Sequence, residues 1–276
     1  MPVKDPGSRR SRERSGGGRG PSGQVPSPAS GGRTGRFPID ELYLGDSLAM
    51  MADLPDGAID LIITDPPFAI DFRATRNNYN RTGSRVMQGY REIAPEDYLA
   101  FTADWMKQAF RVLRPTGSLY VFSGWNRLLD VLQALDETGF TTINHLIWKY
   151  QFGVFTKKRY VTSHYHILFA AKDPKSYTFN KVEHYPEDVW VVNREYWTGK
   201  PKTPTKLPRE LVKKILRFSS NPGDLVLDPF IGSGTVAVAA KEMGRHFLGF
   251  EIVEEYFGFA RERLEKTEWG NAEEGN

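Results

Sequence analysis

Short runs of mostly apolar residues, set apart by stretches of helical period, constrain this chain more than any other feature. Ile59 to Thr64 is such a run, and Asp224 to Leu227 and Phe247 to Phe250 are others. A run of that kind predicts a strand covered on both faces, as in a parallel sheet. Between the runs lie helical patterns. Ser47 to Leu54 is one. Pro95 opens a longer one through Tyr98, Phe101, Trp105, Ala109 and Val112, and Asn126 to Glu137 follows, stopping at Gly139. Glu210 to Phe218, Val236 to Met243 and Val253 to Leu264 complete the set. Further strands are expected at Leu42 to Leu44, Ser118 to Phe122, Ile143 to Tyr150 and His166 to Ala171. Lys172 to Lys202 has no clear period. Strands alternating with helices predict an α/β fold, a mostly parallel sheet with helices on both faces. In such sheets ligands sit beyond the carboxyl ends of the strands.

Composition sets the outer limits. The 276 residues have 39% hydrophobic and 13% aromatic content, enough for a real core. There is no cysteine, which excludes thiolate metal sites, disulfides and cysteine nucleophiles. With no signal-like apolar segment, a cytoplasmic setting without membrane attachment is expected. Residues 1–36 are rich in Gly, Ser, Pro and Arg and read as a disordered basic arm. The arm holds eight basic and two acidic residues, about +6 against a whole-chain charge of +3. Residues 37–276 are therefore slightly acidic and read as the folded domain.

Two motifs lie just past predicted strand ends. The first is Asp65-Pro66-Pro67-Phe68. A carboxylate accepts hydrogen bonds from an exocyclic amino group, the prolines stiffen the turn and leave carbonyls without competing N–H donors, and Phe68 offers a stacking face. The set suits one flat base. The second is Asp228-Pro229-Phe230-Ile231-Gly232-Ser233-Gly234-Thr235, a strand, a glycine turn and a helix start. Glycines permit positive φ, and a helix N-terminus favours an anionic group. Glu251 follows Gly234 by seventeen residues, a spacing suited to ribose hydroxyls. Two cofactors compete for this pattern. Gly232-x-Gly234-x-x-Ala237 formally fits a nicotinamide dinucleotide. Asp228-Pro229-Phe230, standing between strand and glycine, fits better the wider turn around S-adenosylmethionine.

Together these motifs resemble the DNA amino-methyltransferases, the N6-adenine and N4-cytosine family, which carry a D/S/N-P-P-Y/F tetrad and an F-x-G-x-G turn. The tetrad precedes the turn, as in the family's β class. The resemblance runs from about Leu42 to Leu264, with Leu44-Gly45-Asp46, Leu113-Arg114-Pro115-x-Gly117, Trp148-Lys149, Asp188-Val189-Trp190 and Pro204-Thr205 in the expected order. It implies a Rossmann-like S-adenosylmethionine-dependent methyltransferase fold. It implies catalytic roles for Asp65, Pro66, Pro67 and Phe68, and cofactor contacts from Asp46, Thr205, Asp228, Phe230, Gly232, Ser233, Gly234, Thr235 and Glu251, with no metal. The implied partner is double-stranded DNA, with room for a homodimer and for a restriction nuclease acting separately. The class places its DNA-recognition region where this chain has residues 151–200, with Lys157, Lys158, Arg159, Lys172, Lys175 and Lys181 among Tyr160, Tyr165, Tyr177 and Phe179. Residues 73–91 read as a loop closing over the target base.

The chain also departs from the family pattern. Thr203-Pro204-Thr205-Lys206-Leu207-Pro208 lacks the family's His and has Leu207 at its usual Lys position. Phe68 stands where Tyr is commoner. Asp at position 65 resembles the adenine members, whereas cytosine members more often begin with Ser. N4-cytosine methylation and a catalytically silent nucleic-acid-binding subunit are the alternatives. His164 and His166, two apart with no third ligand in view, read as structural rather than metal-binding.

Overall fold

The computed structural model describes residues 32–67, 93–151, 153, 155–195 and 206–270. One eight-stranded sheet organises them. Its strands are β3 (Glu41–Leu44), β4 (Ile59–Thr64), β5 (Leu113–Ser123), β6 (Thr141–Lys149), β7 (His164–Ala171), β8 (Val189–Val191), β9 (Leu225–Asp228) and β10 (His246–Glu251), in the spatial order β3-β10-β9-β4-β5-β7-β6-β8. β7 alone is reversed. It pairs antiparallel with β5 and β6, while the other adjacent pairs are parallel. A small hairpin, β1 (Arg33–Thr34) and β2 (Phe37–Pro38), precedes the sheet. It moves the expected edge of the basic arm. Thr34 is buried, and residues 33–36 belong to the folded body. Two-residue strands carry too little pattern to be read from sequence.

Helices cover both faces, as the continuous apolar strands require. On one face α1 (Ser47–Ala52), α2 (Tyr98–Val112) and α3 (Leu128–Glu137) pack on Ile62, Leu119, Val121, Leu168, Leu225, Leu227, Leu248 and Phe250. On the other, α4 (Arg209–Ser219), α5 (Thr235–Glu242) and α6 (Glu254–Glu265) pack on Leu61, Ile63, Tyr120, Phe122, Ile167, Phe169, Val226 and Phe247. Alternate residues of each strand thus face opposite layers. α2 shows the logic of a single helix. It buries Tyr98, Thr102, Trp105, Met106, Ala109 and Val112, one stripe at helical spacing, and begins three residues after Pro95. The expected turn at residues 114–117 is present as an excursion within β5. Ile59 pairs with Leu113 and Leu61 with Ser118, so β5 carries extra residues between the two pairings. β8 emerges from the segment without clear period. It is short and at the edge, where Trp190 is buried and Val189 and Val191 are exposed. Among the described residues no helix is long and apolar enough to cross a membrane.

The order of strands fixes where a ligand can sit. From β9 the chain crosses through α5 to β10 on one side. From β4 it passes through α2 to β5 on the other side. β9 and β4 are neighbours, so the crossovers diverge between them and leave a crevice at their carboxyl ends.

Candidate active site

Four neighbouring strands deliver the acidic residues singled out in the sequence to that one edge. β3 leads to Asp46, β10 ends at Glu251, β9 ends at Asp228 and β4 leads directly into Asp65. Two of these strand ends are tied directly. The buried Thr64 hydroxyl donates to Asp228 Oδ1 at 2.8 Å, and the same oxygen accepts from the Phe230 N–H at 3.1 Å. Asp65 and the glycine turn, 167 positions apart at Gly232, therefore flank one crevice.

Asp65 is in an unusual state. Its Oδ1 is shielded from water and has no hydrogen-bond partner among the described residues. Burial pushes its carboxyl up to about 7. Asp228 is likewise raised to about 7, first by burial; Thr64 and the Phe230 N–H oppose this, and the Asp65 and Glu251 carboxylates add to it. A shielded carboxylate oxygen without a partner costs a fold stability, and groups of this kind concentrate at functional sites. Pro66 is buried and Pro67 half-buried beside it. Phe68, Thr205 and the loop of residues 73–91 lie outside the described residues.

The glycine turn is clasped from two directions. Glu251 Oε2 accepts from the Gly232 N–H at 2.9 Å and Oε1 from the Val253 N–H at 2.8 Å, so the carboxylate spans from β10 to the turn. Burial raises Glu251, and the backbone donors of Val253, Gly232 and Ile252 pull against that shift. Gly234 has φ +81, and a Cβ there would stand 2.9 Å from Ala260 Cβ, so only glycine lets α6 approach this closely. Gly232 has φ +51, and a Cβ there would meet nothing nearer than Phe230 O at 3.9 Å, which leaves open space beside the turn. Phe230 packs edge-on against Trp105 at 5.7 Å and tilted against Phe101 at 5.9 Å, a hydrophobic wall contributed by α2. The N–H groups of the first turn of α5 have no intrahelical acceptors and are available to an anionic tail.

Three expected residues, Asp46, Ser233 and Thr235, make contacts within the fold. Asp46 caps α1, accepting from the Ala49 N–H at 3.0 Å, and is exposed. Ser233 and Thr235 present their side chains to Arg263 of α6. Its Nη1 donates to Ser233 Oγ at 3.1 Å, to Thr235 Oγ1 at 3.2 Å and to the Ser233 carbonyl. Sequence reasoning missed Arg263. In the chain it is an ordinary cation in the last turn of a helix, and nothing local marks it as a brace for a turn thirty residues upstream. Lys206, one place from the family's usual Lys position, is buried, and burial and the nearby Arg263 charge both lower its pKa.

The 151–200 segment does not stay together. The β6–β7 connection leaves from the carboxyl edge, on the Asp65 side, and carries the exposed Lys157, Lys158 and Arg159, with Phe155 79% and Tyr160 97% exposed. Because β7 is reversed, its far end brings residues 172–181 to the opposite edge. There Lys172 donates to the Leu113 carbonyl at 2.7 Å, and Tyr177 and Phe179 pack on Phe169. His166 Nδ1 and His145 Nε2 share a hydrogen bond of 2.7 Å, so one ring donates and the other accepts. Burial, then His145 and His164, push His166 down to about 4.

A family model described as DNA methylase, N6_N4_Mtase, matches residues 59–262. The type II methyltransferase M.HpaI of Haemophilus parainfluenzae is 31% identical over 245 residues, covering 81% of this chain and 74% of that protein. The solved M1.HpyAVI–SAM complex is 26% identical with a TM-score of 0.61, covering 81% of this chain and 98% of that one. PvuII DNA methyltransferase, cytosine-N4-specific, shares the fold at a TM-score of 0.65 and 20% identity, over 81% of this chain and 85% of that one. These matches set aside the nicotinamide reading. From its fold, its crevice and these relatives, the chain belongs to the N6/N4 family of DNA methylases, with S-adenosylmethionine as methyl donor.

Proposed function

We propose that this protein is a site-specific DNA methyltransferase that methylates the N6 amino group of adenine. One observation carries the reading: Asp65, with a buried oxygen that has no partner among the described residues, lies at the crevice edge next to the strand that bears the glycine turn. When bound, S-adenosylmethionine supplies an electrophilic methyl carbon and a sulfonium charge. The protein's part is to make an aromatic amine nucleophilic. The amine's lone pair is delocalised into the ring. Asp65 and the Pro66 carbonyl accept its N–H bonds and hold the nitrogen in a geometry that localises that pair. The proton is shed once the nitrogen is methylated, so Asp65 need not be a strong base beforehand. The base must leave the duplex stack to reach the crevice, and Phe68 supplies a face to hold it. Asp at position 65 supports adenine over cytosine. Methyl transfer to mixed-sequence duplex DNA, digestion and identification of the nucleoside test this directly. N6-methyladenine is expected; N4-methylcytosine as sole product would reverse the base assignment and leave the enzyme class standing.

The raised carboxyls predict a pH profile. Acceptance of the amino hydrogens needs Asp65 ionised, and its ordinary value of 3.8 is pushed up to about 7. kcat/KM for DNA should therefore fall about tenfold per pH unit below neutrality, and more steeply if Asp228 must also ionise. For stability the sign is opposite. Between about pH 4 and pH 7 the folded state holds protons the unfolded chain has lost, so these two groups make the free protein less stable as pH rises through that window. Rate and melting temperature measured across the same buffers should diverge in this way.

A further inference from the structure

At the carboxyl end of β6 and the amino end of the reversed β7 stands a second group of side chains. The Arg194 guanidinium carbon lies 3.7 Å from the centre of the Tyr150 ring and 5.7 Å from that of Tyr165. Tyr165 is stacked on Trp148 at 5.7 Å and 21°, and Trp148 meets Tyr150 edge-on at 5.6 Å. The backbone around the arginine is pinned. Trp148 Nε1 donates to the Val192 carbonyl at 2.8 Å, and the Arg194 N–H donates to Gln151 Oε1 at 2.8 Å. Among the described residues the guanidinium Nε is buried and has no hydrogen-bond acceptor. A guanidinium is planar and keeps its donors in one plane, and packing over Tyr150 reduces the rotamer freedom that a long side chain would otherwise lose on binding.

The place is as informative as the chemistry. β6 lies three strand spacings from β4, about 14 Å along the edge that carries Asp65. A major groove is about 12 Å wide, so a duplex with one base in the crevice would reach this far. The β6–β7 connection, with Lys157, Lys158 and Arg159 exposed, borders the same edge.

We propose that Arg194, held over the Tyr150 ring, contacts the DNA duplex, its planar donors taking a paired acceptor group, either two phosphate oxygens or the O6 and N7 of a guanine. This rests on the methyltransferase reading, whose partner at this edge it specifies. Each source leaves its own trace. The test is equilibrium binding of the full chain, with cofactor present, to short duplexes with a randomised centre over a range of salt, alongside sequencing of the bases methylated by wild type, Arg194→Gln and Arg194→Lys. Arg194→Gln should weaken duplex binding about tenfold, with cofactor affinity and melting temperature unchanged. A phosphate contact lowers the slope of log affinity on log salt by about one and is largely restored by Lys. A guanine contact leaves the slope, relaxes specificity at one G·C pair and is not restored by Lys. Two results would overturn the proposal: both variants binding and modifying DNA like wild type, or both losing stability and cofactor affinity together, which would mark a packing residue. Wild type that binds duplexes yet methylates none would sink the methyltransferase reading while leaving the Arg194 comparison decisive for DNA contact.

Discussion

Asp65→Ala is expected to lower kcat for DNA methylation by at least about a thousandfold, roughly 4 kcal/mol of transition-state stabilisation, while cofactor affinity stays within about threefold of wild type. Alanine removes the proposed carboxylate acceptor and leaves only the Pro66 carbonyl at the strand end. The proposed cofactor holders are elsewhere, on the turn clasped by Glu251 and braced by Arg263. A second measurement separates this from damage to the fold. Asp65 Oδ1 has no partner among the described residues and its carboxyl is raised to about 7, so the ionised group burdens the folded state above neutral pH. The variant should melt at the same temperature as wild type or higher. Undiminished turnover in Asp65→Ala would remove this residue from the chemistry.

The second large effect is at Glu251. Its two oxygens accept from the Gly232 and Val253 N–H groups, and the residue is 8% exposed. Glu251→Ala strands both donors, at about 1–3 kcal/mol each, and frees the turn proposed to hold the cofactor. Calorimetry should give a cofactor dissociation constant raised about thirtyfold or more, with a lower melting temperature of the free protein. Glu251→Gln keeps one acceptor oxygen but sets an NH2 group against a backbone N–H, and should fall between alanine and wild type. If Glu251 also holds the ribose, the cofactor should lose more affinity than an analogue lacking ribose hydroxyls. Equal losses would confine Glu251 to clasping the turn.

Much of this architecture was legible because the signals are local. Ile59–Thr64 reads as a strand from six consecutive residues, and α2 from the spacing of Tyr98, Trp105, Ala109 and Val112. The tetrad and the glycine turn are contiguous, so their chemistry could be read without knowing where they meet. β8 and the β1–β2 hairpin were not legible, because two or three residues show no period. The division of the 151–200 segment was not legible for another reason. Its residues are continuous in the chain, but the reversed direction of β7 sends Lys157 to one edge of the sheet and Lys172 to the other. Asp46 stands at the crevice edge with its carboxylate capping α1.

By itself the sequence determined the element types, the two motifs at strand ends and the family to which they point, because each depends on backbone preference and side-chain chemistry within a few residues. Only the tertiary structure decided that Asp65, Asp228 and Glu251 share one edge, that Arg263 braces the glycine turn and that Arg194 lies over the Tyr150 ring. Those facts depend on strand order and on contacts between residues tens to hundreds of positions apart, which long-range packing sets and no local pattern encodes.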